Sequence, residues 1–102
     1  MHYFWTFVYN MAIQHYNIKI TGKVQGVGFR FSSMEAAYRI GVVGFVKNLN
    51  ADQVYIEAEG SEAVMQRFLD WCHKGPLGSR VEKLEANEGA IRNFTSFDIL
   101  PR

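Results

Sequence analysis

Three glycines fall within the run Gly22-Lys23-Val24-Gln25-Gly26-Val27-Gly28-Phe29-Arg30. Glycine admits positive φ, which lets neighbouring peptide N–H groups turn toward a single point. Successive inward N–H groups make a concavity that holds an anion. A helix that starts directly after such a loop adds the positive end of its dipole. Arg30, at the expected start of that helix, can offer a planar fork to phosphate oxygens. The chemistry suggested is the holding of a tetrahedral dianion. A tight turn followed by a solvated arginine fits the same residues, and on this stretch alone both readings stay open. Neither common nucleotide loop is present. Phe31 stands where the dinucleotide fingerprint has its third glycine, and no Gly-Lys-Ser/Thr ending makes the run a P-loop.

Composition removes several other chemistries. The only cysteine is Cys72, so no intramolecular disulfide can form, which suits a reducing, cytoplasmic home. His2, His15 and His73 are scattered, so no Cys/His metal set can be assembled, and neither a metal nor a cofactor is expected. Eleven Lys and Arg against ten Asp and Glu give a formal charge of +1. That balance argues against a nucleic-acid partner bound by phosphate neutralisation. With 102 residues, 48% apolar and 21% charged, the chain reads as one globular domain.

The elements that must position the loop follow from periodicity. Tyr16, Ile18 and Ile20 alternate with Asn17, Lys19 and Thr21, as in a half-buried strand. After the loop, the Ser32/Glu35 capping-box spacing predicts a helix from about 29–33 to Ile40. Met34, Ala37 and Tyr38 give it an apolar side, Glu35 and Arg39 an i,i+4 pair, and Gly41 a C-cap. Val42–Leu49 and Val54–Glu59 read as two strands joined by a turn at Asn50-Ala51-Asp52. Val64, Met65, Phe68, Leu69 and Cys72 form the stripe of a second helix. Gly75, Pro76 and Gly78 break it. Val81–Ala86 looks like a fourth strand with an irregular period, which predicts a bulge or a late start. Phe97 and Ile99 suggest a short last strand. The order β-α-β-β-α-β is that of an α+β, ferredoxin-like sandwich: a mostly antiparallel sheet of four or five strands with both helices on one face.

The first residues stand apart. Tyr3, Phe4, Trp5, Phe7 and Tyr9 crowd a stretch too short to span a membrane, and no basic segment or small-residue cleavage site makes it a signal peptide. Residues 1–14 are expected to be an extension, and 15–102 the domain. A disordered tail, an arm packing on the domain or on a second copy, and a start upstream of Met11 are the readings weighed for it. A monomer is expected, with self-association through the aromatic arm as the variation, and no membrane partner.

Two blocks together carry a resemblance. Gly22–Arg30, followed by Gly41-Val42-Val43-Gly44-Phe45-Val46-Lys47-Asn48, closely resembles the acylphosphatase family. The likeness continues through Val54–Gly60, Phe68-Leu69-Asp70-Trp71 and Gly75-Pro76 to Phe97–Ile99. The turn at Asn50-Ala51-Asp52-Gln53 departs from the family's frequent Pro-Asp-Gly. The resemblance implies hydrolysis of acyl phosphates to a carboxylate and inorganic phosphate. It implies that Val24, Gln25, Gly26, Val27 and Gly28 with Arg30 bind the phosphate, and that Arg30 and Asn48 are the catalytic residues. By itself Asn48 reads first as a turn asparagine closing a hairpin, and the resemblance reverses that preference.

Such a reaction needs few groups. The departing carboxylate has a conjugate acid of pKa about 4 and leaves unprotonated near neutral pH, so no general acid is required. An asparagine amide does not titrate usefully, so Asn48 would orient the attacking water rather than deprotonate it. The alternative is a binding or regulatory module, because this fold alone does not confer catalysis. The remaining candidates read as structural. Glu57 and Glu59 share one strand face and are expected to be solvated, Cys72 to be inert core, and Trp71 to pack. His73 sits where a helix C-terminus favours it, and Lys23 and Lys47 flank the loop.

Overall fold

The computed structural model describes residues 12–101. The chain runs β1 (Ile13–Lys23), α1 (Phe29–Ile40), β2 (Val43–Asn48), β3 (Gln53–Ser61), α2 (Glu62–Lys74), β4 (Arg80–Glu88) and β5 (Phe97–Ile99). The five strands form one sheet in the order β4-β1-β3-β2-β5. All pairings are antiparallel except β2 with β5. This is the expected ferredoxin-like α+β arrangement, with the short fifth strand present. The β1 strand begins at Ile13, where Ile13 and Gln14 pair with Ser61 and Gly60. The reading of an N-terminal extension otherwise falls on residues outside those described.

Period-two alternation sorts the sheet into two faces. Ile18, Ile20, Val46, Val54, Ile56, Ala58 and Phe97 are buried under the helices. Met65, Phe68 and Cys72 of α2 and Phe29, Ala36 and Ala37 of α1 complete that core. Trp71 packs as expected, edge-on to Phe29 and stacked on Phe68. The irregular β4 does carry a bulge. Thr21 pairs with Lys83 but Gly22 with Val81, so Glu82 is the extra residue. Gly41 caps α1 at φ 99°, its N–H donating to the Ala37 carbonyl over 2.8 Å.

Two local expectations fail at α1. The capping box does not start it. Gly28 is the N-cap, in the left-handed region at φ 74°, and the helix already begins at Phe29. A loop glycine that supplies the turn makes the Ser32 side chain unnecessary as a cap. Tyr38 is 62% exposed rather than core, and Ser33 and Ala36 take the buried side instead. The Tyr38 hydroxyl reaches the Phe97 carbonyl at 3.2 Å, tying α1 to β5.

The outer face of the sheet departs most from expectation. Glu59 and His15 are buried, and Glu57 is largely so. The irregular segment 89–96 crosses this face and covers them. His15 Nδ1 donates to Glu59 Oε2 over 2.7 Å. The Arg92 N–H also donates to Oε2, and the Phe94 N–H donates to Oε1 over 3.0 Å. Glu57 Oε1 lies 3.1 Å from His15 Nε2 and 3.0 Å from Arg92 Nη1. Phe94 stacks on the His15 ring and meets Phe45 edge-on. These carboxylates are therefore structural anchors and not a solvated face. Burial pushes the Glu59 carboxyl up, but the Arg92 N–H, His15 and the Phe94 N–H outweigh it and hold it below the ordinary value.

Candidate active site

The loop between β1 and α1 is pinned from behind. The β1 end is tied to the β2–β3 turn by the Gly22 N–H donating to the Asp52 carbonyl at 2.9 Å. The Gln25 amide donates to the carbonyls of Asn50 and Gln53, the latter at 2.8 Å. Gln25 is thus a brace between loop and turn. The loop and the end of β2 are held together even though the turn lacks Pro-Asp-Gly.

Held this way, the loop opens outward. Gly26 and Gly28 both adopt φ 74°, a conformation that L side chains rarely take. Nothing lies within 4 Å of where a Cβ would sit on either, so open space faces both. Among the described residues, the N–H groups of Gly26, Val27 and Gly28 make no hydrogen bond. The first turn of α1 contains no acidic side chain, so the positive end of the helix is uncompensated there.

A cavity of about 240 Å³ is lined by Val24, Gln25, Gly26, Gly28, Phe29, Arg30, Phe31, Asn48 and Ile99. Among the described residues that line it, Arg30 is the only charged one. It forms no ion pair and no side-chain hydrogen bond among the described residues. Asn48, the last residue of β2, pairs with Val54 and so shares the helix-facing side of the sheet. Its Oδ1 is buried with no hydrogen-bond partner among the described residues. A buried acceptor without a donor costs about 1–3 kcal/mol, so this oxygen is open to a hydrogen-bond donor in the cavity.

The structure therefore brings Arg30, Asn48 and the loop to one cavity. Of the loop residues expected at the site, Val27 is not among those lining it. Phe31 and Ile99 line the cavity and were not singled out by sequence reasoning. An exposed apolar residue beside Arg30 was visible as a type but not as a position, and Ile99 arrives from the far end of the chain. Lys23 and Lys47 do not line it. Cys72 is fully buried, and burial pushes its thiol far up. Among the described residues, no helix is long and apolar enough to cross a membrane.

A mixed five-stranded sheet under two helices, with an outward-facing glycine loop beside Arg30 and Asn48, defines a small α+β domain of ferredoxin-like architecture. The comparisons are specific. The acylphosphatase family model matches residues 16–99. The acylphosphatase of Gloeobacter violaceus is 42% identical over 84 residues, 82% of this chain and 90% of that one. That of Lactiplantibacillus plantarum is 42% identical over 83 residues, 80% of this chain and 92% of its own. The crystal structure of acylphosphatase from Bacillus subtilis superposes with a TM-score of 0.82 at 33% identity, over 85% of this chain and 98% of that chain. This chain belongs to the acylphosphatase family, hydrolases that act on acyl phosphates.

Proposed function

We propose that Arg30 and the N–H groups of the Val24–Gly28 loop hold the phosphoryl group of an acyl phosphate while Asn48 orients the attacking water. The observation that carries this reading is the pairing, in one cavity, of Arg30 and a buried Asn48 Oδ1, neither of which has a side-chain partner among the described residues. Water oxygen forms a bond to phosphorus as the phosphorus–oxygen bond to the acyl group breaks. The carboxylate leaves with the electron pair, and the water's proton passes to a phosphate oxygen. Inorganic phosphate and a carboxylate are the products. No protein acid or base is needed, because the leaving group is already stable as an anion. Phosphoryl transfer of this kind is mainly a matter of position and charge stabilisation.

The reaction is proposed to need neither a metal nor a cofactor, since the charge handling assigned to Arg30 and the loop N–H groups calls for none. The lone buried thiol suits a reducing, cytoplasmic setting. Residues 15–102 are proposed as the catalytic unit, acting as a monomer.

The test is hydrolysis of benzoyl phosphate in excess chelator by the wild type, Arg30→Ala and Asn48→Ala. Loss of a preorganised donor typically costs on the order of 100- to 1,000-fold in turnover, and each variant is expected to fall by that much. Full activity in either variant would sink its assigned role. Loss of wild-type activity on chelation would sink the metal-free reading. Tight phosphate binding without turnover of any acyl phosphate would make the protein a binding module instead.

A further inference from the structure

A larger cavity, of about 450 Å³, lies against the two helices and shares no lining residue with the one at the glycine loop. Arg39 and Ile40 reach it from the last turn of α1, and Arg67, Asp70, Trp71 and Lys74 from α2. The α2 residues recur after three, four and seven positions, so they share one stripe of that helix. Three cations and one carboxylate leave the lining with a net charge of +2, against +1 for the whole chain. All ten Asp and Glu residues of the sequence fall within the described residues, and their ion pairs go to His15, Lys19, Lys83 and Arg92. Among the described residues, Arg39, Arg67 and Lys74 therefore have no carboxylate partner, and the Glu35/Arg39 pair expected from the sequence is not formed. Helix dipoles account for Arg39 and Lys74, each in a last turn. They do not account for Arg67, in the middle of α2.

We propose that this cavity is a second anion site, separate from the catalytic one, and that it takes a di- or triphosphate chain, free or carried by a nucleotide. Like charges gathered on one cavity repel, and a ligand with adjacent negative groups relieves all three cations at once. The two arginines match phosphate oxygens with their planar forks, and Lys74 adds a point charge. A volume of about 450 Å³ falls within the roughly 300–1,000 Å³ of pockets that hold small molecules, so a whole nucleotide is within reach. Half-buried Trp71 and Ile40 offer a nucleoside base an apolar patch, and Asp70 can accept from its amine or sugar hydroxyls. Arg30 and Arg39 sit nine residues apart at opposite ends of α1, about 14 Å along its axis, so the two sites can be filled independently.

The experiment titrates the full chain with inorganic phosphate, tripolyphosphate and ATP at low ionic strength, by calorimetry. Arg30→Ala serves as the background, because it removes the catalytic cavity's cation and leaves the second site whole. Tripolyphosphate is expected to bind at least about tenfold more tightly than inorganic phosphate, which meets fewer of the three cations. Adding Arg39→Ala or Arg67→Ala should weaken it roughly three- to tenfold each, and Asp70→Asn should tighten it about threefold. Lys83→Ala, which removes an exposed cation of β4, should leave it unchanged. ATP binding more tightly than tripolyphosphate assigns the base to Trp71 and Ile40, and equal or weaker binding assigns the site to the free chain. Alanine suits exposed helix positions, so Arg67→Ala alone should keep the wild-type Tm and wild-type hydrolysis of benzoyl phosphate. No binding, affinity indifferent to Arg39 and Arg67, or a loss as large in Lys83→Ala overturns the site. So does inorganic phosphate binding as well as tripolyphosphate.

Discussion

Replacing Glu59 by glutamine tests how the outer face of the sheet is held. The carboxylate is 2% exposed and serves three donors: His15 Nδ1 and the Arg92 N–H on one oxygen, the Phe94 N–H on the other. Glutamine keeps the shape but has one oxygen and one NH2. Whichever way the amide turns, its NH2 faces a backbone N–H. One charge-assisted bond is lost outright, about 1.5–3 kcal/mol, and the bonds that remain lose their charge. A total near 3 kcal/mol is expected for Glu59→Gln. For a domain of this size that is a fall in Tm of roughly 12–24 °C, or about 1–3 M in the urea midpoint with an unchanged slope. Glu85→Gln is the control. Its pair with Lys19 is 3.5 Å long and about 40% exposed on both sides, so its removal should cost no more than about 0.5 kcal/mol. Acid provides a second readout. A carboxyl held below its ordinary value contributes stability above the unfolded value and loses it as the pH falls through the folded one. The gap between wild type and Glu59→Gln should therefore be full near neutral pH and shrink once the pH drops below the ordinary 4.5. A cost equal to that of the control, or a gap that widens on acidification, refutes the anchoring role.

Three further outcomes are expected. A Cβ at Gly44, where φ is 148°, would lie 1.8 Å from the Glu57 carbonyl oxygen, so Gly44→Ala should cost about 2–5 kcal/mol in urea denaturation. Cys72 should ignore a thiol reagent such as dithionitrobenzoate in the native protein and react stoichiometrically in denaturant, because burial both covers the thiol and disfavours its thiolate. A chain begun at Met11 keeps all of β1 and should hydrolyse benzoyl phosphate within about twofold of the full chain; an inactive or unfolded product would place the domain boundary further toward the N-terminus.

Strand and helix order was legible because the apolar residues keep their periods. Ile18 and Ile20, Val54 and Ile56, and the Phe68–Cys72 stripe all face the core that their spacing implies. The glycine loop was legible because only positive φ explains glycines at 26 and 28 just before a helix. Asn48 was not legible from its own residue type and came only through the family resemblance, since its position opposite Val54 and its Oδ1 without a partner among the described residues depend on the β2–β3 register and the brace from Gln25. Glu57 and Glu59 misled for a related reason. A polar residue on the outer side of a strand reads as solvated, and a segment without periodicity announces nothing about covering it. The hint was His15, a third titratable residue that the antiparallel register sets directly opposite Glu59.

Among the described residues, the strand order leaves two edges, β4 and β5. On one, β5 has three residues, too few to template a stable partner. On the other, β4 offers nine residues, long enough for a second chain to join the sheet by backbone pairing. That border is guarded by its own side chains: Arg80, Glu82, Lys83, Glu85 and Glu88, with the bulge at Glu82 twisting its line. Another strand laid there would have to accept both signs of charge in register, or leave several unmatched. Charges of both signs along β4, together with its bulge, make this edge a poor template for the regular pairing of a second strand.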